Sequence, residues 1–273
     1  MAVITMLNQK GGVGKTSSCH HLAGTLARSG RRVLLLDNDP QASLTQGFFG
    51  PDGMRAIDPE ESVAALYDPH LVPIPERIIR PVGFDGVSIV AGSESLTGYN
   101  ITPVAEWAAS ERGMADFLDE VRGDFDVVLI DCPPNLHLCS WAALVASDFL
   151  VVPLQAEDYG AQGLGPVQRS VQAVRSGPNP RLGLLGYLLT MFDKRLAIHL
   201  AYEATLRKMY GDQVFAAPFP LAKDFKEAVA SRQPISHYKP KAASAKASLA
   251  VAEELMARIE AAASPARAER SVA

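Results

Sequence analysis

Residues 10–17, KGGVGKTS, have the types and spacing to hold a polyphosphate. Gly11, Gly12 and Gly14 lack a Cβ, so their backbone amides can turn inward toward one anion. A helix starting near Lys15 adds unpaired N–H groups and the positive end of its dipole. In such a loop the backbone of residues 11–17, Val13 and Ser17 included, cradles phosphate oxygens. Lys15 reaches the β- and γ-phosphates, and the Thr16 hydroxyl ligates Mg²⁺. The stretch follows an apolar strand and precedes a helical pattern, the context that separates a phosphate loop from an idle glycine turn. It departs from the ordinary GxxxxGK[ST] spacing: Gln9 stands where the first glycine would be, and Lys10 opens the loop. Two ammonium groups this close repel unless a polyphosphate neutralises both.

Carboxylates complete such a site. VLLLDNDPQAS at 33–43 ends a strand in Asp37 and Asp39, and residues two apart in a strand point to one side. Both can face the crevice above a sheet, where a carboxylate pair suits Mg²⁺ positioning and activation of water. Taken alone, Asp39–Pro40 reads as a turn that starts a loop. VVLIDCPP at 127–134 buries four apolar residues and releases Asp131 at the strand's C-terminal end, where it can bind Mg²⁺ through water. Pro133 and Pro134 then force the chain out of the strand. Cys132 and Cys139 do not make a metal site, because no third ligand lies nearby in sequence. The groups together suit in-line attack of water on a γ-phosphorus. No NKxD string of a guanine site occurs. Pro218 and Phe219 could wall an adenine pocket, or simply pack.

These residues need elements to hold them. Continuous apolar runs at 3–7, 33–37, 87–90, 127–131, 149–153 and 184–190 predict strands covered on both faces. Helical spacing predicts helices over 16–29, 113–122, 136–147, 162–175 and 199–210, the first stopped by Gly30. Their alternation predicts an α/β fold, a mostly parallel twisted sheet with helices on both faces. Prolines punctuate 50–84, which predicts loops around one short helix near 60–67. An Ala-rich helix over 241–262 is expected to pack on the body. Residues 1–262 read as one domain, with 263–273 as a flexible tail.

Composition excludes several classes. The chain has 273 residues, 48% hydrophobic and 21% charged, which is ordinary globular usage. Its three cysteines cannot staple a chain of this length, so a reducing compartment with free thiols is expected. No run is long and apolar enough to span a membrane, and no signal peptide is visible. The formal net charge of −4 argues against a protein built mainly to bind nucleic acid.

The motif KGGVGKT resembles the deviant phosphate loop of the ParA/MinD group of P-loop ATPases, and DNDPQ at 37–41 resembles the DxDPQ string of ParA-type proteins. VVPLQAEDYGAQGL at 151–164 and TMFDKR at 190–195 are similar to further ParA-type segments, so the resemblance covers about 1–260. The chain looks most like the short, Soj-like members, without the helix-turn-helix extension of long plasmid versions. The resemblance implies a P-loop NTPase fold and slow, partner-stimulated hydrolysis of ATP with Mg²⁺. It implies that Lys10 reaches the nucleotide of a second subunit, that Asp39 positions or activates the attacking water, and that Asp37 helps hold the metal shell.

It further implies a cytoplasmic, nucleoid-associated protein that dimerises around ATP. Such a dimer binds double-stranded DNA without sequence preference, answers to a ParB-like activator and positions DNA or another large cargo. Candidate DNA contacts are Lys223, Lys226, Arg232, Lys239 and Lys241, in a segment with a local basic surplus, with Lys194 and Arg195 as a second cluster. Here the sequence departs from many chromosomal relatives. Where they carry an IPRNVRL-like string, this chain reads FPLAKDFKEA, with Leu221 and Asp224 in place of two arginines. A MinD-like membrane switch is the alternative. Its C-terminal amphipathic helix has no counterpart in AAASPARAERSVA, so no membrane partner is expected. A metabolic or redox relative with the same ATPase core would need a cysteine cluster or substrate motif that is missing.

Overall fold

The apolar runs form strands because each feeds two separate cores. In the computed structural model, which describes residues 1–102, 106, 108, 110–157 and 164–263, Val33 and Leu35 pack on one face of the sheet and Leu34 and Leu36 on the other. Residues 127–130 divide in the same way, Val128 and Ile130 against Val127 and Leu129. A strand buried on both sides cannot show a polar alternation.

In chain order the elements are β1 (Ala2–Met6), α1 (Lys15–Arg28), β2 (Val33–Asp37), α2 (Ser43–Arg55), α3 (Pro75–Ile78), β3 (Ile79–Pro81), β4 (Val87–Val90), α4 (Leu96–Asn100) and α5 (Gly113–Glu120). Then come β5 (Val127–Asp131), α6 (Leu138–Ala146), β6 (Phe149–Gln155), α7 (Leu164–Arg175), β7 (Gly183–Thr190), α8 (Ala197–Tyr210), α9 (Lys223–Ala230), α10 (Ile235–Tyr238) and α11 (Ala243–Ala263). The seven strands form one sheet in the order β3-β4-β2-β5-β1-β6-β7, and only the β3–β4 pair is antiparallel. The mostly parallel α/β sheet expected from the sequence is therefore the observed one.

β1 lies near the middle of the sheet. Ala2–Met6 pair with residues 127–131, and Ile4–Met6 with residues 149–151. Its start is pinned from the same side, since Val3 N donates to Asp148 Oδ2 at 2.9 Å and Asp148 N to Val3 O at 3.0 Å. Register across β2, β5 and β1 aligns Asp37 with Asp131 and Asp131 with Met6, so two site carboxylates and the start of the phosphate loop emerge side by side.

Three expectations change. Residues 43–55 form a helix, in two pieces joined at Gly50, whose φ of 76° breaks the helical path. Pro51 is tolerated because it opens the second piece, where its missing N–H is not needed. The short helix expected near 60–67 is two 3₁₀ turns, Pro59–Glu61 and Val63–Leu66, each capped by a side chain that accepts from the backbone, Asp58 and Ser62. β3 adds an edge strand. Residues 264–273 of the expected tail, residues 158–163 of the 151–164 segment and the first two residues of the expected helix 162–175 lie outside the described residues, while Ala263 ends α11.

Candidate functional site

The phosphate loop takes left-handed backbone at Gly12, φ 76°, and Gly14, φ 83°. A side chain at either position would be strained, which is why glycine stands there. Gly14 ends the loop and α1 starts at Lys15, so the helix N-terminus faces the loop's concavity. Val13 turns its side chain into the core, and its carbonyl accepts from Thr190 Oγ1 at 2.7 Å. The same hydroxyl is 3.1 Å from Leu154 O, so the end of β7 fastens the loop to β6.

Lys15 is buried, at 6% exposure. Its Nζ donates to Asn8 O at 3.1 Å and Lys10 O at 3.3 Å. Burial pushes this ammonium below the ordinary lysine range, and the nearby Asp131 charge opposes the shift. Lys10 stands at the rim, with its Nζ on Glu157 Oε2 at 2.8 Å.

Asp37 Oδ2 accepts from both the backbone N and the hydroxyl of Thr45, each at 2.7 Å, and so satisfies a donor in the first turn of α2. Thr45 Oγ1 in turn accepts from Gly92 N at 2.8 Å. A Cβ on Gly92 would lie 2.8 Å from that carboxylate. Asp37 Oδ1 and both oxygens of Asp131 are buried without a hydrogen-bond partner. Burial pushes Asp37 up to about 6, and burial followed by the Asp37 charge pushes Asp131 well above the usual carboxylate range. The Lys15 charge pulls Asp131 the other way.

Acceptor oxygens with no donor suit a hard divalent cation. Among the described residues no cluster of three or more acidic, histidine or cysteine side chains could enclose a metal. A cation here would be held by Thr16 and Asp131, with Asp37 beside them, and would complete its shell with water and phosphate oxygens. That is the coordination habit of Mg²⁺.

Gly11, Gly12, Gly14, Lys15, Thr16, Ser17 and Asp39 line one cleft of about 730 Å³, closed on the far side by Thr190, Met191, Phe219, Pro220, Leu221 and Lys226. Phe219 therefore reaches the cleft wall, whereas Pro218 is not among the lining residues. The wall is tied to β7 and to the chain just beyond it, since Phe219 N donates to Leu189 O at 2.9 Å and Leu221 N to Phe192 O at 3.0 Å. Asp39 Oδ1 accepts from Gln41 N at 2.9 Å, which leaves its other oxygen for a water.

The cations read as DNA contacts have different surroundings. Lys194, Lys226 and Lys241 are exposed and form no ion pair among the described residues. Arg195 pairs with Asp193 at 2.7 Å, and Lys223 lies 3.4 Å from Glu227. The Arg232 guanidinium donates to Gln46 O. Lys239 bridges Asp224 at 2.8 Å and Glu227 at 2.7 Å, so two carboxylates already neutralise it. The basic surplus available to a polyanion is therefore narrower than the sequence count.

The sequence reading did not single out Asn8, Thr190, Thr45, Gly92, Asn38, Tyr67 or Glu157. Asn8, Asn38, Thr190 and Glu157 adjoin or lie within segments already recognised, and Thr45 follows eight residues after Asp37, whereas Gly92 and Tyr67 reach the site across long stretches of chain and leave no local signal.

A family model described as an AAA domain matches residues 1–184, more than half of the chain. The chromosome-partitioning ATPase Soj of Thermus thermophilus is 38% identical over 257 residues, covering 94% of this chain and 96% of the relative. The chromosome partitioning protein ParA of Caulobacter vibrioides is 32% identical over 262 residues, covering 94% and 95%. The chain belongs to the Soj/ParA family of partition ATPases.

Solved structures agree on the fold of this Soj/ParA chain. Cobyrinic acid a,c-diamide synthase from Mycobacterium smegmatis, with an ATP analog and magnesium bound, superposes with a TM-score of 0.77 at 29% identity, covering 94% of each chain. MinD from Pyrococcus horikoshii complexed with Mg-ADP gives 0.70 at 22% identity over 93% of this chain and 95% of that one, a likeness of fold alone.

Proposed function

We propose that this Soj/ParA chain is a Mg²⁺-dependent switch ATPase that positions DNA. With ATP bound it forms a homodimer and holds double-stranded DNA without sequence preference. A ParB-like partner stimulates hydrolysis to ADP and phosphate and ends that state. The reading rests above all on one observation, the cleft in which Lys15, Thr16 and Asp39 meet above buried carboxylate oxygens that lack donors. The names of the two partition relatives support DNA as the cargo.

Each group has a task in that reaction. The loop amides and the N-terminus of α1 bind the phosphate chain. Lys15 exchanges two carbonyls for phosphate oxygens, which suits an ammonium that is poorly solvated without its ligand. When bound, Mg²⁺ supplies positive charge to the β- and γ-phosphoryl oxygens. Asp39 uses its unengaged oxygen to orient a water for in-line attack. Phe219 gives the base an apolar wall. Lys10 leaves Glu157 for the nucleotide of the second subunit, and Lys194, Lys226 and Lys241 meet DNA phosphates.

Gel-shift titrations with ATP, ADP and no nucleotide test the reading. DNA binding is expected with ATP alone and should weaken steeply as salt rises. Absence of salt-sensitive binding with ATP at low salt would overturn the DNA-positioning role.

A further inference from the structure

Asn38 sits between the two site aspartates, fully buried at 0% exposure. Strand alternation sends its side chain away from Asp37 and Asp39, into the core on the other face of the sheet. There its Nδ2 donates to Cys139 O in the first turn of α6 at 2.8 Å. Its Oδ1 accepts from Tyr67 Oη at 2.7 Å. Its backbone N donates to Asp131 O at 2.9 Å. One residue thus ties the end of β2 to the end of β5, the first turn of α6 and Tyr67 after the 3₁₀ turn.

Tyr67 is itself buried at 1% exposure. Its carbonyl accepts from Ser110 Oγ at 2.6 Å, and its ring stacks on Tyr99 with centroids 5.7 Å apart. The hydroxyl therefore comes from an anchored ring.

The surrounding core is apolar, including Leu36, Val90, Ile130 and Leu138. An aliphatic side chain at position 38 would suit that core with no amide to desolvate. A buried amide is tolerated only when its partners are in place, and in return it fixes geometry. Asp39 follows directly. Its own carbonyl accepts from Ala42 N at 2.8 Å, so the turn is fastened downstream by the backbone and upstream by Asn38.

We infer that Asn38 and Tyr67 are positioning residues for hydrolysis: their buried hydrogen bond fixes the Asp39 carboxylate against the end of β5, which carries Asp131. The inference rests on the reading of Asp39 as the group that orients water. Neither residue touches nucleotide. Loss of the Tyr67 hydroxyl lets the Asp39 turn move, and small displacements of a positioning group reduce turnover sharply.

Three variants of the full chain separate this from simple packing: Tyr67→Phe, the double variant Asn38→Leu with Tyr67→Phe, and Asp39→Ala as a control. Thermal midpoint, affinity for a fluorescent ATP analogue and phosphate release are measured for each. Tyr67→Phe keeps the ring and is expected to bind ATP within about twofold of wild type while turnover falls about tenfold. Removing both polar partners together should recover part of the lost stability, because Asn38 Oδ1 is no longer stranded, while Cys139 O still loses its Asn38 donor. Turnover should remain low.

Wild-type turnover in Tyr67→Phe, or recovery of turnover together with stability in the double variant, would overturn the inference. If the double variant does not fold, Tyr67→Phe decides alone. Normal turnover in Asp39→Ala would instead sink the reading of Asp39. An inactive Asp39→Ala beside a fully active Tyr67→Phe removes only the positioning role.

Discussion

His20 and His21 lie side by side on α1, each 1% exposed, beyond the turn that carries Lys15 and Thr16. The His20 ring stacks on Phe48 with centroids 4.2 Å apart, and neither of its nitrogens has a well-formed hydrogen bond. Burial pushes His20 down to about 4, with the Gln233 backbone opposing, and drives His21 well below its ordinary value. The folded state keeps these rings neutral, whereas the unfolded chain takes up protons below about pH 6.5. Stability is therefore complete above that pH and falls as the pH is lowered. For His20 the loss levels off near pH 4 and amounts to on the order of 3 kcal/mol. Denaturant unfolding of wild type and His20→Phe across pH 4–7 checks this, because titrating groups away from the His20–His21 pair cancel in the comparison. The gap should move in favour of the variant as pH falls, and parallel curves would refute the assignment. At this scale the sequence was legible where chemistry is contiguous: a phosphate loop uses successive amides, so Gly11 to Ser17 declare themselves. Thr45 and Gly92 around Asp37, and Tyr67 on Asn38, are set by tertiary approach, and no spacing announces them.

Helix α1 shows how elements hold the site. It packs on α10 and α11, and Thr25 Oγ1 lies 2.8 Å from Ser248 Oγ. Gly24 sits at the tightest approach, since a Cβ there would lie 2.3 Å from Pro234 Cβ. Alanine in place of glycine inside a helix ordinarily stabilises by about 1 kcal/mol. Here Gly24→Ala is expected to destabilise by about 1–3 kcal/mol, the usual penalty of overpacking. Thermal unfolding reads the sign, and a raised midpoint would show that α10 can yield. The strands were legible because two-sided burial leaves continuous apolar runs. α2 was not, because Gly47, Gly50, Pro51 and Gly53 carry the signature of a loop, and the turn at Gly50 joins two short pieces. β3 spans three residues, one of them Pro81, too little pattern to read.

Across the whole molecule, charge is local. A net charge of −4 coexists with exposed Lys194, Lys226 and Lys241, while Asp37 and Asp131 are buried beneath the phosphate loop. In the proposed function assembly turns on Lys10, whose ion pair with Glu157 is partly exposed and so contributes little to the fold of one subunit. Lys10→Ala is expected to bind ATP, unfold like wild type and stay monomeric on a sizing column where wild type with ATP dimerises. Unchanged dimerisation would remove its role across the interface. The overall architecture was legible because strand and helix alternate regularly; sheet order was not, because it depends on pairings between distant segments. β1 is central, yet its neighbours are encoded only at residues 127–131 and 149–151. During translation Val3, Ile4 and Met6 are made well before either of their partner strands, residues 127–131 and 149–151. The nascent chain must carry an unpaired apolar strand until residues 127–131 have emerged, and an edge of that strand stays open until 149–151 follow, an interval in which exposed apolar surface invites aggregation.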